Sequence, residues 1–352
     1  MPKKLLIVDD SALVRKQMRE LVESALDFDY DFAKNGKEAV ERACEVDFDV
    51  ITMDINMPVM DGLTAVKEIM AKNPTPILML SSLTSDNADT TMDALDFGAI
   101  DYVTKPGTMN IGRDENAQDI IKKIKTLSRI PRRRLKARVA APKRERRMPS
   151  EEKPQNNLTS KDISKVVLIG SSTGGPGLIE QICASLPASY PYPVCIVQHM
   201  LAQFTEAFAK RLDRASTLPV HHASNNLEVC PGNIYLAKGG THLHFAKKVS
   251  GKIVIHEQKN KGDNFFQPSV DEMFDSALSV FSASNLVGVI LTGIGDDGAD
   301  GMVKVKKQGG YTLGETEESA TVYGMPKEAF VRGGVSEQLP FPKILKTIAT
   351  LK

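Results

Sequence analysis

A chain of 352 residues, at roughly 150 residues per domain, argues for two domains, and 41% hydrophobic with 25% charged residues is the content of a globular protein able to bury real cores. Lys+Arg 45 against Asp+Glu 44 leaves +1, so no global field points to nucleic acid or to an acidic partner. Apolar runs stop at about half a dozen residues (Leu286 to Leu291) against the roughly 20 that span a bilayer, the run after Met1 ends at Asp9 and Asp10 without a signal-peptide pattern, and Cys44, Cys183, Cys195 and Cys230 show no CxxC spacing, which together read as a cytoplasmic chain with reduced thiols and no membrane insertion.

In chain order, short apolar runs at 4–8, 30–33, 50–53, 77–80 and 102–104 alternate with amphipathic stretches at 12–24, 37–45, 63–72, 89–97 and 117–127. Five such βα units predict a doubly wound parallel sheet. Between Arg129 and Lys153 lie eleven Lys/Arg and three Glu, a balance of +8 that leaves −7 for the rest of the chain. With Pro131, Pro142 and Pro149 and hardly any periodic apolar residues, this stretch is expected to be an extended, solvated tether able to linger near an anionic membrane surface. Beyond it, strands are expected at 166–169, 194–197, 234–237, 243–246, 253–256 and 286–291, with helices from 177 and through 204–212. The trio between 234 and 256 has Gly-rich connections and reads as an antiparallel insertion. The predicted fold class is α/β in two domains: a five-stranded parallel sheet over 1–126, a basic linker over 127–162, and a second parallel α/β sheet with an antiparallel hairpin insertion over 163–350.

Asp9 with Asp10, Asp54, Ser81 and Lys105 follow four different apolar runs of the first domain. In a parallel sheet the carboxyl ends of the strands share one edge, so these side chains converge where strand order reverses. Three adjacent carboxylates repel one another, and Mg²⁺, which favours carboxylate and carbonyl oxygens, relieves that repulsion. Lys105 can pair with Asp54 or with a phosphoryl group placed on it, and Ser81 offers a hydroxyl to the same oxygens. Capping by Asp10 and Ser11 accounts for one acid, not for acids at separate strand ends. The segments VDDSALVR, MDINMPVMDG, MLSS and YVTKPG resemble the receiver domains of two-component response regulators over essentially all of 1–126. That resemblance implies Asp54 as phosphoacceptor, Asp10 and Asp54 with the carbonyl of Asn56 as Mg²⁺ ligands, Asp9 acting through water, Ser81 and Lys105 as responders to the phosphoryl group, and Tyr102 as an aromatic that reorients.

In the second domain a strand ending at Gly170 runs into Ser171-Ser172-Thr173-Gly174-Gly175-Pro176-Gly177 and then a helix, a turn that can present a hydroxyl beside backbone N–H groups. An anion-cradling loop is the alternative, but neither GxGxxG nor GxxxxGK[ST] is met. His199 follows the run 194–197, and Asp297 follows the run ending at Leu291. Ser172, His199 and Asp297 thus fall on one edge of one sheet, in the residue types that serine nucleophiles need. The chain order Ser, His, Asp is not that of the α/β-hydrolases. Each residue alone also fits a structural part, as a satisfied strand-end histidine or a helix cap. Of the remaining histidines, His242 and His244 share a strand face as a metal pair would, but without a third ligand they, like His221, His222 and His256, are expected on a hairpin surface.

GSSTGGP, QHM followed by FTEAFAKRLDR, PGNIYLAKGGTHL, PSVDEMFDSA, LTGIGDDGADGM and ATVYGMPKEA resemble the catalytic domain of the chemotaxis protein-glutamate methylesterases over 163–350. The resemblance implies Ser172 as nucleophile, His199 as general base and then acid, Asp297 as orienting carboxylate, Gly174 and Gly175 as shapers of the turn, and backbone N–H groups near Thr173 and Ile294 as oxyanion donors. It implies hydrolysis of glutamyl methyl esters and deamidation of certain glutamines on methyl-accepting chemotaxis receptors, with no cofactor for hydrolysis, a histidine kinase as phosphodonor, and a receiver that restrains the esterase until phosphorylated. Leu201 and Lys238 stand where that family usually has Pro, beside the substrate cleft. The rival readings are a non-enzymatic signalling module with a ligand-binding glycine loop and a DNA-binding regulator; the latter requires a basic helical second domain, whereas the basic excess here is confined to the tether.

Overall fold

The structure is a computed structural model that describes residues 2–82, 86–106, 113–135, 153, 158–259 and 266–351. The chain divides into two compact units, Met1–Arg144 and Glu145–Lys352.

In the first unit β1 (Lys3–Val8), β2 (Phe28–Ala33), β3 (Val50–Asp54), β4 (Ile77–Ser81) and β5 (Asp101–Thr104) form one sheet in the order β2-β1-β3-β4-β5, with every pairing parallel. Helices α1 (Ala12–Ala25), α2 (Gly36–Glu45), α3 (Gly62–Lys72) and α4 (Asp86–Asp96) supply the four crossovers, and α5 (Arg113–Leu127) follows the last strand. Strands β3 and β4 are buried at every position, the pattern of a sheet covered on both faces. Helix starts carry their own caps: Ser11, Asn35 and Asp61 accept from the N–H groups of Val14, Glu38 and Thr64, each worth about 1 kcal/mol. Strand order reverses between β1 and β3, which brings the ends carrying Asp9 and Asp54 side by side.

The opening of the expected tether is not extended. Ile130 and Leu135 are buried, and the Arg132 guanidinium binds Asp47, Asn73 Oδ1 at 3.0 Å and the Phe48 carbonyl at 2.9 Å. Sequence periodicity hides this because the two apolar anchors stand among four arginines, Arg129, Arg132, Arg133 and Arg134. At the far end, Lys153 reaches Asp213, and buried Ser160 binds Glu228 in the second unit. The rest of the tether, including Pro142 and Pro149, lies outside the described residues.

The second unit contains β6 (Val166–Ser171), β7 (Val194–Gln198), β8 (Val220–His222), β9 (Ile234–Leu236), β12 (Leu286–Ile290), β13 (Tyr311–Glu315) and β14 (Glu337–Leu339) in one sheet, ordered β14-β13-β12-β6-β7-β9-β8 and wholly parallel. Its helices are α6 (Pro176–Ser185), α7 (Ala202–Ala215), α8 (Val270–Val280), α9 (Ala299–Lys307), α10 (Met325–Val331) and α11 (Phe341–Ala349). Among the strands of the described residues, β10 (His242–Lys247) and β11 (Ile253–Gln258) are the one antiparallel pair. The expected antiparallel trio is therefore a pair: Ile234, Tyr235 and Leu236 are all buried, the mark of an interior parallel strand, and β9 pairs with β7 and β8 instead. Strand order reverses between β6 and β12, so the segments after β12, β6 and β7 meet at one edge.

Candidate active site

At the edge of the first sheet, Asp9 and Asp54 are buried and Asp10 is exposed. One oxygen from each lies within 4.8 Å of the others. Lys105 Nζ reaches Asp9 Oδ2 at 2.9 Å and Asp54 Oδ2 at 2.8 Å. Asp54 Oδ1 accepts the Ile55 N–H at 2.7 Å, and Asp9 Oδ1 accepts the Ser11 N–H at 2.9 Å. Burial pushes the Asp54 carboxyl above its ordinary value, Lys105 opposes this and Asp9 adds to it. Burial alone would depress the Lys105 ammonium, but its bonds to Asp54 and Asp9 hold it above the ordinary lysine value. Capping of α1 falls to Ser11, which leaves the Asp10 carboxylate to the cluster. Three hard oxygen donors and one cation are the chemistry of a divalent-ion and phosphoryl site. Asn56 follows on the exposed loop between β3 and α3. Ser81 is buried and its hydroxyl is engaged with the Ser82 carbonyl and Thr91, not with the carboxylates. Tyr102 is buried, with Lys123 donating to its carbonyl at 2.8 Å and lying 5.6 Å above its ring.

At the edge of the second sheet, Ser172 follows β6, His199 follows β7, and Asp297 lies seven residues beyond β12. His199 Nε2 meets Asp297 Oδ2 at 2.7 Å. The carboxylate is held on all sides: Val270 N–H donates to Oδ2 at 2.6 Å, and Ser269 Oγ and the Asp271 N–H donate to Oδ1 at 2.8 and 3.1 Å. Two of these donors belong to the first turn of α8, where the helix dipole favours an anion. Burial acts to raise the Asp297 carboxyl, but His199 and the two backbone donors outweigh it and hold the group below its ordinary value. The His199 ring stacks on Phe266, 4.1 Å between centroids and 6° from parallel. Its Nδ1 is buried and makes no hydrogen bond.

The turn that carries the serine is tightly set. Ser172 N–H donates to the Thr292 carbonyl at 3.0 Å, and Gln198 Nε2 donates to the Ser172 carbonyl at 2.9 Å. Gly174 has φ +79°, and a Cβ on Gly293 would lie 2.9 Å from Ser172 Cβ, so neither position accepts a side chain without displacement. Thr173, next to Ser172, and Ile294, on the loop after β12, are both buried. A cavity of about 430 Å³, lined by Gly295, Asp296, Tyr323, Gly324, Lys327 and Glu328, opens next to Ile294 in the chain; the three residues Ser172, His199 and Asp297 are not in its lining.

Comparison with known proteins adds the decisive observation. The family model described as CheB methylesterase matches residues 167–348, more than half of the chain, and the response regulator receiver domain model matches 5–114. The chain belongs to the CheB methylesterase family. Among its relatives, a Carboxydothermus hydrogenoformans protein named protein-glutamate methylesterase/protein-glutamine glutaminase 2 is 44% identical, over 99% of this chain and 98% of its own length. An Archaeoglobus fulgidus protein-glutamate methylesterase/protein-glutamine glutaminase is 41% identical over 98% of this chain and 97% of its own length. The crystal structure of the Thermotoga maritima CheB methylesterase catalytic domain is 40% identical, covers 54% of this chain and 99% of that one, and superposes with a TM-score of 0.51.

Several residues that build this CheB-family site were not singled out from sequence. Phe266 and Ser269 precede the start of α8, and nothing local tells that Asp297, 28 residues beyond Ser269, is what that start binds. His242, expected on a hairpin surface, is 3% exposed, and its Nδ1 accepts the Ser269 N–H at 3.1 Å. The hairpin lies over α8, which buries that face. His244 is half-buried against Glu272 at 3.0 Å, so the two imidazoles serve separate partners. Burial pushes Asp271 up to about 6; the Gly301 N–H opposes this and Asp297 adds to it. Lys238 is exposed and 3.8 Å from Glu257, while Leu201 is the exposed cap of α7. The adjacent Gly239 packs so close to Ala202 that a Cβ would lie 2.5 Å from its Cα, so both non-proline positions border the loop that follows His199. No helix among the described residues is long and apolar enough to cross a membrane.

Proposed function

We propose that the chain is a cytoplasmic protein-glutamate methylesterase and protein-glutamine glutaminase of methyl-accepting chemotaxis receptors, controlled by phosphorylation of Asp54 from a chemotaxis histidine kinase. The observation that carries the hydrolytic reading is the His199–Asp297 bond of 2.7 Å, anchored on the N-terminus of α8 at the strand edge that also presents Ser172. A carboxylate on Nε2 fixes the imidazole proton there and leaves the lone pair on Nδ1. Ser172 Oγ attacks the ester carbonyl carbon while Nδ1 takes its proton, and the N–H groups of Thr173 and Ile294 receive the developing oxyanion. Collapse breaks the C–O bond, the imidazolium protonates the departing methoxide, and methanol leaves an acyl-Ser172. Nδ1 then takes a proton from water, whose oxygen attacks the acyl carbon; the bond from that carbon to Ser172 Oγ breaks, the imidazolium returns the proton to Oγ, and the glutamate is released. A glutamine follows the same path with ammonia as leaving group, more slowly because the amide is a poorer electrophile and leaving group. Asp297 stays ionised throughout and stabilises the imidazolium.

For the receiver, Asp9, Asp10 and Asp54 fit a Mg²⁺ ion by donor type and spacing, and the Asn56 carbonyl would be the further ligand that the family resemblance implies. When bound, that ion neutralises charge around the phosphoacceptor oxygens. Lys105 neutralises part of the same charge itself, and Ser81 and Tyr102 stand by as responders. The activity test is methanol release from membranes bearing methylated receptors. Wild-type protein is expected to release methanol, faster with a small-molecule phosphodonor; Ser172→Ala releases none, and Asp54→Asn ignores the donor. Equal release by Ser172→Ala overturns the hydrolytic reading, and a full donor response in Asp54→Asn overturns the regulatory one.

A further inference from the structure

Glu315 closes β13 with its side chain fully buried, and Thr292, just beyond β12, is equally buried. The acyl-transfer scheme uses neither. Yet Thr292 binds the serine turn through two different atoms. Its carbonyl accepts the Ser172 N–H at 3.0 Å, and its hydroxyl donates to the Thr173 carbonyl at 2.9 Å while accepting the Val322 N–H at 2.9 Å. The next residue, Gly293, donates to the Val322 carbonyl at 3.0 Å and packs against Ser172 Cβ. Thr292 is itself anchored by its own N–H, which donates to Glu315 Oε2 at 2.8 Å. The other Glu315 oxygen accepts Ser319 Oγ at 2.9 Å, and that hydroxyl accepts the Phe341 N–H at 3.0 Å. One carboxylate on β13 thus ties the loop after β12 to the loop after β6, and α11 to both.

We propose that Thr292 and Glu315 form a buried strut that sets the spacing between the serine turn and the Gly293–Ile294 segment, which makes both of them positioning residues for acyl transfer. This rests on the reading of Ser172 as nucleophile and deepens it. Oxyanion donors act only when they lie about 3 Å from where the charge develops, and a shift of about 1 Å costs roughly 100-fold. The two loops leave separate strands, so their mutual placement depends on the bonds between them. Hydrogen bonds to a carboxylate are shorter and stronger than neutral ones, and in a fully buried setting water cannot replace them.

The strut is tested by two pairs of variants in the full-length protein, assayed for methanol release well below each unfolding midpoint, with Ser172→Ala alongside. Thr292→Val keeps the shape and loses the hydroxyl, whereas Thr292→Ser keeps it; Glu315→Leu loses the acceptor, whereas Glu315→Gln keeps it. The expected result is a kcat lower by about 10- to 100-fold in Thr292→Val and Glu315→Leu, with KM within about twofold, and recovery to within about threefold of wild type in Thr292→Ser and Glu315→Gln. If Glu315→Leu fails to fold, the Thr292 pair decides. A wild-type kcat in Thr292→Val, or equal losses in Val and Ser variants, overturns the strut while leaving Ser172 in place. An active Ser172→Ala overturns the nucleophile instead, so the two failures are distinguishable.

Discussion

Asp297→Asn is the substitution for which the structure gives the most complete expectation. The carboxylate takes four donors: Val270 N–H at 2.6 Å, His199 Nε2 at 2.7 Å, Ser269 Oγ at 2.8 Å and the Asp271 N–H at 3.1 Å. An amide has one oxygen. If its NH₂ replaces Oδ2, it confronts the Val270 N–H and forces His199 to accept on Nε2, which moves the imidazole proton to Nδ1 and removes the base. If it replaces Oδ1, it confronts the Asp271 N–H, although Ser269 Oγ can turn to accept. Either way one buried N–H of the first turn of α8 loses its acceptor, a cost of about 1–3 kcal/mol, and the imidazolium loses its counter-charge. The expected loss in kcat/KM is on the order of 10³–10⁴, about 4–5.5 kcal/mol of transition-state stabilisation. Stability carries a second signature. The folded-state pKa of Asp297 is depressed, so its contribution is present above the unfolded carboxylate value of about 3.9 and is lost as pH falls through the lower folded value. Methanol-release kinetics and urea unfolding between acid and neutral pH measure both effects, and the stability difference between wild type and Asn variant is expected to shrink in acid. A loss in kcat/KM below tenfold would refute the reasoning and reduce Asp297 to a helix cap.

Three further perturbations probe separate parts of the molecule. A Cβ at Gly62 would lie 1.9 Å from the Asp54 carbonyl, so Gly62→Ala is expected to destabilise the receiver by about 1–3 kcal/mol and to slow phosphoryl uptake from a small-molecule donor; unchanged uptake contradicts the close approach. Val59, 81% exposed, holds φ +69°, a conformation that costs a β-branched residue about 1–2 kcal/mol, so Val59→Asn is expected to raise the receiver's unfolding midpoint, and a lower midpoint argues against strain there. Asp271 is pushed up to about 6 by burial, which means the folded state holds that proton more tightly and stability declines as pH rises from about 4 to about 6. Asp271→Asn keeps the acceptor for the Gly301 N–H, 2.6 Å away in the wild type, and is expected to lack that decline in urea midpoints across this window; parallel profiles refute the assignment.

Much of the molecule was legible because its candidate functional residues stand directly after buried strands. Asp9, Asp54, Ser172 and His199 each follow an apolar run, and parallel pairing alone carries such residues to one edge. Edge strands carried no such signal: Val220-His221-His222 and Glu337-Gln338-Leu339 have no fully buried residue, as short protected edges do. The parallel pairing of β9 was obscured by its glycine-rich exit, which looks like a hairpin turn until the burial of all three residues is seen. Long-range polar bonds left no trace in local pattern either, which is why His242, Phe266, Thr292 and Glu315 emerged only from the structure. The tether's first residues misled for the opposite reason, since a basic composition reads as solvated even where Arg132 is bound by three partners.

Partitioning with hydroxylamine tests the acyl-Ser172 pathway most directly. Methyl ester and glutamine substrates of the same receptor segment are hydrolysed by the wild-type protein with hydroxylamine present, and the ratio of glutamyl hydroxamate to glutamate is measured. If both substrates pass through one acyl-Ser172, the ratio is the same for ester and amide at every hydroxylamine concentration, and Ser172→Ala yields neither product. Different ratios from the two substrates, or glutamate formed without hydroxamate, would contradict a shared acyl-enzyme at Ser172.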